Sequence, residues 1–206
     1  MAGSVRLNPG RRAGGAAWCA LCAVLAASAL LGFGRAPAQF DWQPALASSQ
    51  PWRAWTAVAV HYSALHLGAN LAGTAVVGAL GWIARVAPAA VWAWAVAWPA
   101  THFALAIEPA LIHYGGLSGV LHAGVAVVAV QLLGRPDATA CRIGAALLAG
   151  LAIKVGLEAP WGAPLRYPAG WDIAVAPLAH ASGAIAGLLA GAVAAWLQAG
   201  TGRRAA

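Results

Sequence analysis

Ser118 stands in the string Tyr114-Gly115-Gly116-Leu117-Ser118-Gly119, and His180 opens His180-Ala181-Ser182-Gly183. A serine hydroxyl is a weak nucleophile until a base takes its proton. A histidine, with its pKa near working pH, can be that base. His66 and Asn70 are four residues apart and share one face of a helix. Attack of a serine on a carbonyl makes an oxyanion, which needs hydrogen-bond donors aimed at it. His66 offers a ring N–H and Asn70 an amide NH2. Ser118 adds its own backbone N–H at a helix start, where the helix dipole favours negative charge. Nucleophile, base and oxyanion donors together are the parts of an acyl-transfer site.

These groups sit in a chain of 206 residues, of which 62% are hydrophobic and only 8% charged. Soluble domains carry roughly 25% charged residues. So few charges cannot coat a water-soluble globule, and disorder needs the opposite composition. Six apolar segments follow: Ala13–Phe33, Thr56–Ile83, Pro88–Ile107, Leu117–Gly134, Thr139–Leu157 and Ala174–Gln198. Each suits a membrane span of about 20 residues. The expected fold is an all-α membrane protein, a six-transmembrane-helix bundle over residues 13–199, with cytoplasmic tails at 1–12 and 200–206. The first segment outlasts a signal-peptide core and five more follow it, so it reads as a helix.

Charge orients the spans. The net charge is +7, but the arginines are spread in ones and twos with no basic stripe, so nucleic acid is not an expected partner. The N-terminus, the turns holding Arg85 and Arg135–Arg142, and the C-terminal tail carry eight arginines and one acid, Asp137. The other three connections carry three arginines and four acids: Asp41, Glu108, Glu158 and Asp172. Basic residues favour the cytoplasmic side, which places both termini there. Spans two, four and six then start on the outer side, the periplasmic face of an inner membrane in a Gram-negative cell. The long first outer connection, Gly34–Trp55, carries Trp42, Trp52 and Trp55 and reads as a segment lying in the membrane interface.

Polar groups are expensive at membrane depth, so each is a site candidate. His66, Asn70, Ser118 and His180 all fall near the outer ends of their spans, within about 15 Å of the surface at ~1.5 Å per residue. A lone GxSG in a glycine-rich helix says little; the coincidence of all these groups at one level says more. Gly119 and Ala123, and Gly183 and Gly187, are small residues spaced by four, which lets two helix backbones approach closely. That would bring Ser118 and His180 within reach. His122, one turn below Ser118, could stack on His180 or hydrogen-bond it. His61 falls off the His66–Asn70 face and takes a supporting part. No acid falls at the right depth to orient His180, so a Ser–His dyad is expected. Lys154 and Glu158, four apart, read as a helix-stabilising pair. Cys19, Cys22 and Cys141 read as helix thiols, and His102 and His113 have no assigned role.

With those residues in place, the chain resembles the rhomboid intramembrane serine proteases. Trp52-Arg53 leading to His61-x4-His66-x3-Asn70 looks like the rhomboid first loop and second helix. Gly116-Leu117-Ser118-Gly119 matches the family's GxSG, and His180-Ala181-Ser182-Gly183 with Gly187 looks like its sixth-helix histidine segment. The resemblance implies Ser118 as nucleophile, His180 as general base, and His66 and Asn70 as oxyanion donors. Gly116, Gly119, His122, His61 and Gly183 would support them. Many rhomboids carry a tyrosine where His122 stands. Gly-Leu-Ser-Gly-Val-Leu-His, Glu108-Pro109 and Lys154-x3-Glu158 are similar to the rhombosortase subfamily. That similarity implies cleavage of secreted proteins whose C-terminal tails carry Gly-Gly, an apolar helix and basic residues.

The expected function is therefore an intramembrane serine endopeptidase acting on transmembrane protein substrates in the lipid bilayer, with no cofactor and no metal. The alternative is a catalytically inactive rhomboid-like protein that binds transmembrane helices. A metal or haem protein built on the histidines lacks intramembrane carboxylates and a tight ligand motif. A transporter lacks an acidic relay.

Overall fold

A computed structural model describes residues 9–204. Arg6, one of the charges from which a cytoplasmic N-terminus is expected, lies outside the described residues. Among the described residues seven α-helices follow in order: α1 (Pro9–Gly32), the short α2 (Arg53–Thr56), α3 (Ala64–Ile83), α4 (Pro88–Phe103), α5 (Ser118–Leu133), α6 (Ala138–Leu157) and α7 (Pro177–Arg204). The chain is an all-helical, multi-pass membrane protein. Among the described residues, α1, α3, α6 and α7, and α4 continued by a 3-10 turn to Ile107, are long and apolar enough to cross a membrane. The sixth apolar helix, α5, has 16 residues. α1 and α7 run into the segments expected as tails, reaching Pro9 and Arg204.

α5 is the centre of the bundle. Gly119, Val120, Leu121, Ala123, Gly124, Ala126, Val127, Val128, Ala129 and Leu132 are buried, so most of the helix is covered, while Ser118, His122 and Val125 on one face are half-buried. It packs on α3, α4, α6 and α7, and its closest partner is α7. Small residues make that closeness possible. A Cβ built on Gly183 would lie 1.9 Å from the Gly119 carbonyl oxygen, and one on Gly187 would lie 2.3 Å from that of Ala123. Tryptophans join the inner helices. Trp18 stacks on Trp94 at 4.3 Å, its Nε1 donates to the Val77 carbonyl at 2.9 Å, and Trp94 Nε1 donates to the Val120 carbonyl at 2.8 Å.

Two expectations need correction. The second span was expected from Thr56, but the helix starts at Ala64. Arg53–Thr56 and Ala57–Ala59 form separate short turns, and the chain is extended at Val60. Ser63 then caps α3, its Oγ accepting from the His66 amide at 3.0 Å. The apolar run Ala57-Val58 is buried in the protein rather than in lipid. Trp42 is likewise no interfacial anchor, because it is fully buried, with its ring edge-on to Phe103. Trp52 and Trp55 remain exposed.

The connection between α1 and α3 is a built scaffold. Arg53 is buried and holds both the 38–41 turn and Gln50. Its Nη1 donates to the carbonyls of Ala38 at 2.9 Å and Asp41 at 2.8 Å, and its Nε to Gln50 Oε1 at 2.6 Å. Asp41, itself buried, accepts from His113 Nδ1 at 2.8 Å. Trp42 and Tyr114 exchange backbone hydrogen bonds of 2.7 and 2.9 Å, which ties this scaffold to the segment entering α5. His102, fully buried, is held through Nδ1 by the Ala54 carbonyl at 2.6 Å.

Candidate active site

Ser118 is the first residue of α5, so its backbone N–H has no acceptor within the helix. The turn that delivers it depends on two glycines. Gly116 has φ +126°, which L side chains rarely adopt, and its amide donates to the Ala57 carbonyl at 2.9 Å. Gly115 lies against Val60, where a Cβ would come within 2.6 Å of Cγ1. His180 is in the first turn of α7, one turn before Gly183. The backbone contact of α5 with α7 therefore sets the distance between the two side chains. His180 Nε2 lies 2.9 Å from Ser118 Oγ.

The remaining residues close around that pair. His122 stacks on His180 with ring centroids 4.3 Å apart and planes 11° apart. Its Nδ1 lies 2.6 Å from the Ser118 carbonyl oxygen, which only accepts, so this nitrogen carries a proton. On the other side, His66 and Asn70 are buried on one face of α3. A Cβ built on Gly116 would lie 2.7 Å from His66 Nε2 and 3.5 Å from Asn70 Nδ2. Both groups thus converge on the space over Gly116, two residues from Ser118. Asn70 Nδ2 is buried with no hydrogen-bond partner among the described residues. The Tyr62 amide donates a long hydrogen bond, 3.4 Å, to His66 Nδ1, which leaves the proton of a neutral ring on Nε2, facing that space. His61 packs against His66 with ring centroids 4.7 Å apart, outside α3.

The expected dyad does not describe what surrounds His180. Glu158 Oε2 lies 2.6 Å from His180 Nδ1, on the side of the ring opposite Ser118. Lys154 and Glu158 do pair, Nζ to Oε1 at 2.6 Å. The same carboxylate also serves the histidine, so an acid stands behind the ring. Burial pushes the Glu158 carboxyl up, but the His180 and Lys154 contacts outweigh it and hold it down at about 2. Depth along each span, taken separately, hid this contact, because Glu158 follows the last residue of α6 and lies beside α7. An acid at a helix C-terminus, where the dipole disfavours it, was the available signal.

These side chains line an open cavity of about 1350 Å³. It runs from Ser118 and His180 past His66 and Asn70, down between α3 and α6 along Gly73, Val77, Ala146 and Gly150. The loop before α7 roofs it, latched to α3 where Ser63 Oγ donates to Asp172 Oδ1 at 2.7 Å.

The comparison with protein families matches the model described as Rhomboid domain to residues 48–197, well over half of the chain. No curated protein matches the chain.

Proposed function

The chain belongs to the rhomboid family, and from that premise we propose that it is a serine endopeptidase that cuts transmembrane proteins near the outer face of the membrane, with Ser118 as nucleophile and His180 as general base. The observation that carries this is the 2.9 Å contact of Ser118 Oγ with His180 Nε2 beside an unpartnered, buried Asn70 amide. The same contact favours an enzyme over an inactive helix-binding relative.

A substrate helix would lie between α3 and α6, with its outer end unwound over Ser118. Ser118 Oγ attacks the scissile carbonyl carbon as its proton passes to His180 Nε2. The oxyanion forms over Gly116, where His66 Nε2–H, the Asn70 amide and the Ser118 backbone N–H donate to it. The C–N bond then breaks, and the leaving amine takes the proton from His180. Water, activated by the same nitrogen, releases the acyl group from Ser118.

The charge bias of the connections supports an inner-membrane orientation with both termini in the cytoplasm and the site opening to the periplasm. The rhombosortase-like strings support a narrower substrate class: secreted proteins ending in Gly-Gly, an apolar helix and a basic tail. Co-expression with a reporter carrying such a tail tests both levels. Tail loss in wild type but not in Ser118→Ala is the expected result. An uncut tail beside Ser118-dependent cleavage of other single-span reporters would overturn the substrate class. Tail loss undiminished in Ser118→Ala would overturn the enzyme.

A further inference from the structure

Lys154 and Glu158 make a poor helix-stabilising pair. Glutamate N-terminal to lysine is the favourable order, and here it is reversed. Glu158 also caps the C-terminal end of α6, where the helix dipole disfavours an anion. The next residue, Ala159, has φ +46°, a left-handed conformation that alanine adopts at a cost. Local stability therefore gives no reason for a carboxylate here, and the reason lies in what it touches.

His180 Nδ1 has two polar neighbours that make opposite demands. Glu158 Oε2, at 2.6 Å, accepts only, so it requires a proton on Nδ1. Lys154 Nζ, at 3.3 Å, donates only, so it requires Nδ1 bare. A neutral ring holds one proton. With the proton on Nδ1, Nε2 is free to take the Ser118 proton at 2.9 Å. With the proton on Nε2, the ring cannot act as a base toward Ser118. The shorter contact decides for Glu158, and Lys154 is drawn to Glu158 Oε1 at 2.6 Å.

We propose that Glu158 is a positioning residue that completes a Ser118–His180–Glu158 relay, holding His180 in the Nδ1–H tautomer against the competing ammonium of Lys154. The inference rests on the protease reading above. Glu158 does not touch substrate; it accepts the Nδ1 proton and stabilises the imidazolium that forms when Nε2 takes the proton from Ser118. As Oγ bonds to the carbonyl carbon, that proton is held on Nε2 and later leaves with the amine, while the Nδ1 proton stays shared with Glu158.

The competition gives the test. In Glu158→Ala, Lys154 alone faces Nδ1 and drives the ring to the inactive tautomer. Cleavage of a single-span reporter by protein in liposomes falls ~10²-fold or more, by analogy with the loss of the triad acid elsewhere. Adding Lys154→Met to Glu158→Ala restores activity about tenfold, since the opposing donor is gone. Glu158→Asp retains more activity than Glu158→Gln, although Gln keeps the shape. Nitrogen-15 spectra of histidine-labelled protein read the tautomer directly, with the His180 signals identified by their loss in His180→Asn. Wild type shows Nδ1–H, and Glu158→Ala shows Nε2–H. Wild type with Nε2–H, an unchanged rate in Glu158→Ala, or no gain from Lys154→Met in a Glu158→Ala protein that melts like wild type would overturn the role. If those results came with cleavage that still needs Ser118, the relay would fall alone; if Ser118→Ala cleaved like wild type, the protease reading would fall with it.

Discussion

Gly183 is the place where a single methyl group tests the geometry. A Cβ there would sit 1.9 Å from the Gly119 carbonyl oxygen and 2.7 Å from its carbon, both of them backbone atoms of α5. No side chain can swing aside, so Gly183→Ala forces α7 away from α5 by about 1 Å before the contact reaches even 3.0 Å. His180 is one turn away on α7. A shift of that size along the line to Ser118 stretches the 2.9 Å contact to nearly 4 Å, beyond the reach of a hydrogen bond. Overpacking of this kind costs about 1–3 kcal/mol in stability. A misplacement of ~1 Å at the reacting groups costs about 100-fold in rate. The prediction is therefore a melting temperature lowered by a few degrees and a cleavage rate lowered far more, measured on reconstituted protein with a single-span reporter. Gly150, where a Cβ meets nothing within 4 Å, is the control, since Gly150→Ala is predicted to fold and melt like wild type. Wild-type rate and melting in Gly183→Ala would refute the claim that backbone contact between α5 and α7 sets the site.

Other expectations follow from separate contacts. Arg53→Ala removes hydrogen bonds to Ala38, Asp41 and Gln50 and the guanidinium beside Asp41, which keeps His113 and Gln43 as donors, so it should lower stability by about 1.5–3 kcal/mol in an unfolding titration. Arg53→Lys should recover little, because a lysine cannot reach several acceptors with one planar fork. Asn70→Ala should slow cleavage by ~10²–10³-fold with little change in KM, since its amide acts on the developing oxyanion. The Glu158 carboxyl is lowered from 4.5 to about 2, so its stabilisation is fully present above pH 4.5 and is lost as pH falls toward 2. The stability gap between wild type and Glu158→Gln should be constant from pH 5 to 7 and close on acidification. A gap that persisted at pH 2 would contradict the assigned contact.

The helical membrane fold was legible because composition dominates it: six apolar stretches in a chain this poor in charge leave few alternatives. The approach of α5 and α7 was legible as well, since Gly119, Ala123, Gly183 and Gly187 announce a face without side chains. Hydropathy failed where apolar residues are buried by protein instead of lipid. Thr56–Val60 reads as membrane by composition, yet it forms the floor under Gly115 and Gly116, and Trp42 reads as an anchor yet fills the core of the scaffold between α1 and α3. Glu158 was missed for another reason. Depth along a span gives height but not azimuth, and the contact with His180 depends on which sides of α6 and α7 face each other. The reversed charge order and the anion at a helix C-terminus were visible, but neither names a partner. His102 shows the same limit, because its acceptor, the Ala54 carbonyl, is a backbone atom 48 residues away.

The central claim is that Ser118 and His180, brought together by α5 and α7, cut a peptide bond in the membrane. It is tested most directly by purified wild type, Ser118→Ala and His180→Ala in liposomes with a single-span reporter, with products weighed by mass spectrometry and folding checked by melting. The account predicts a defined cut near the outer end of the reporter helix with wild type, and none with either variant at unchanged melting temperature. The same cut at the same rate from folded Ser118→Ala would contradict it.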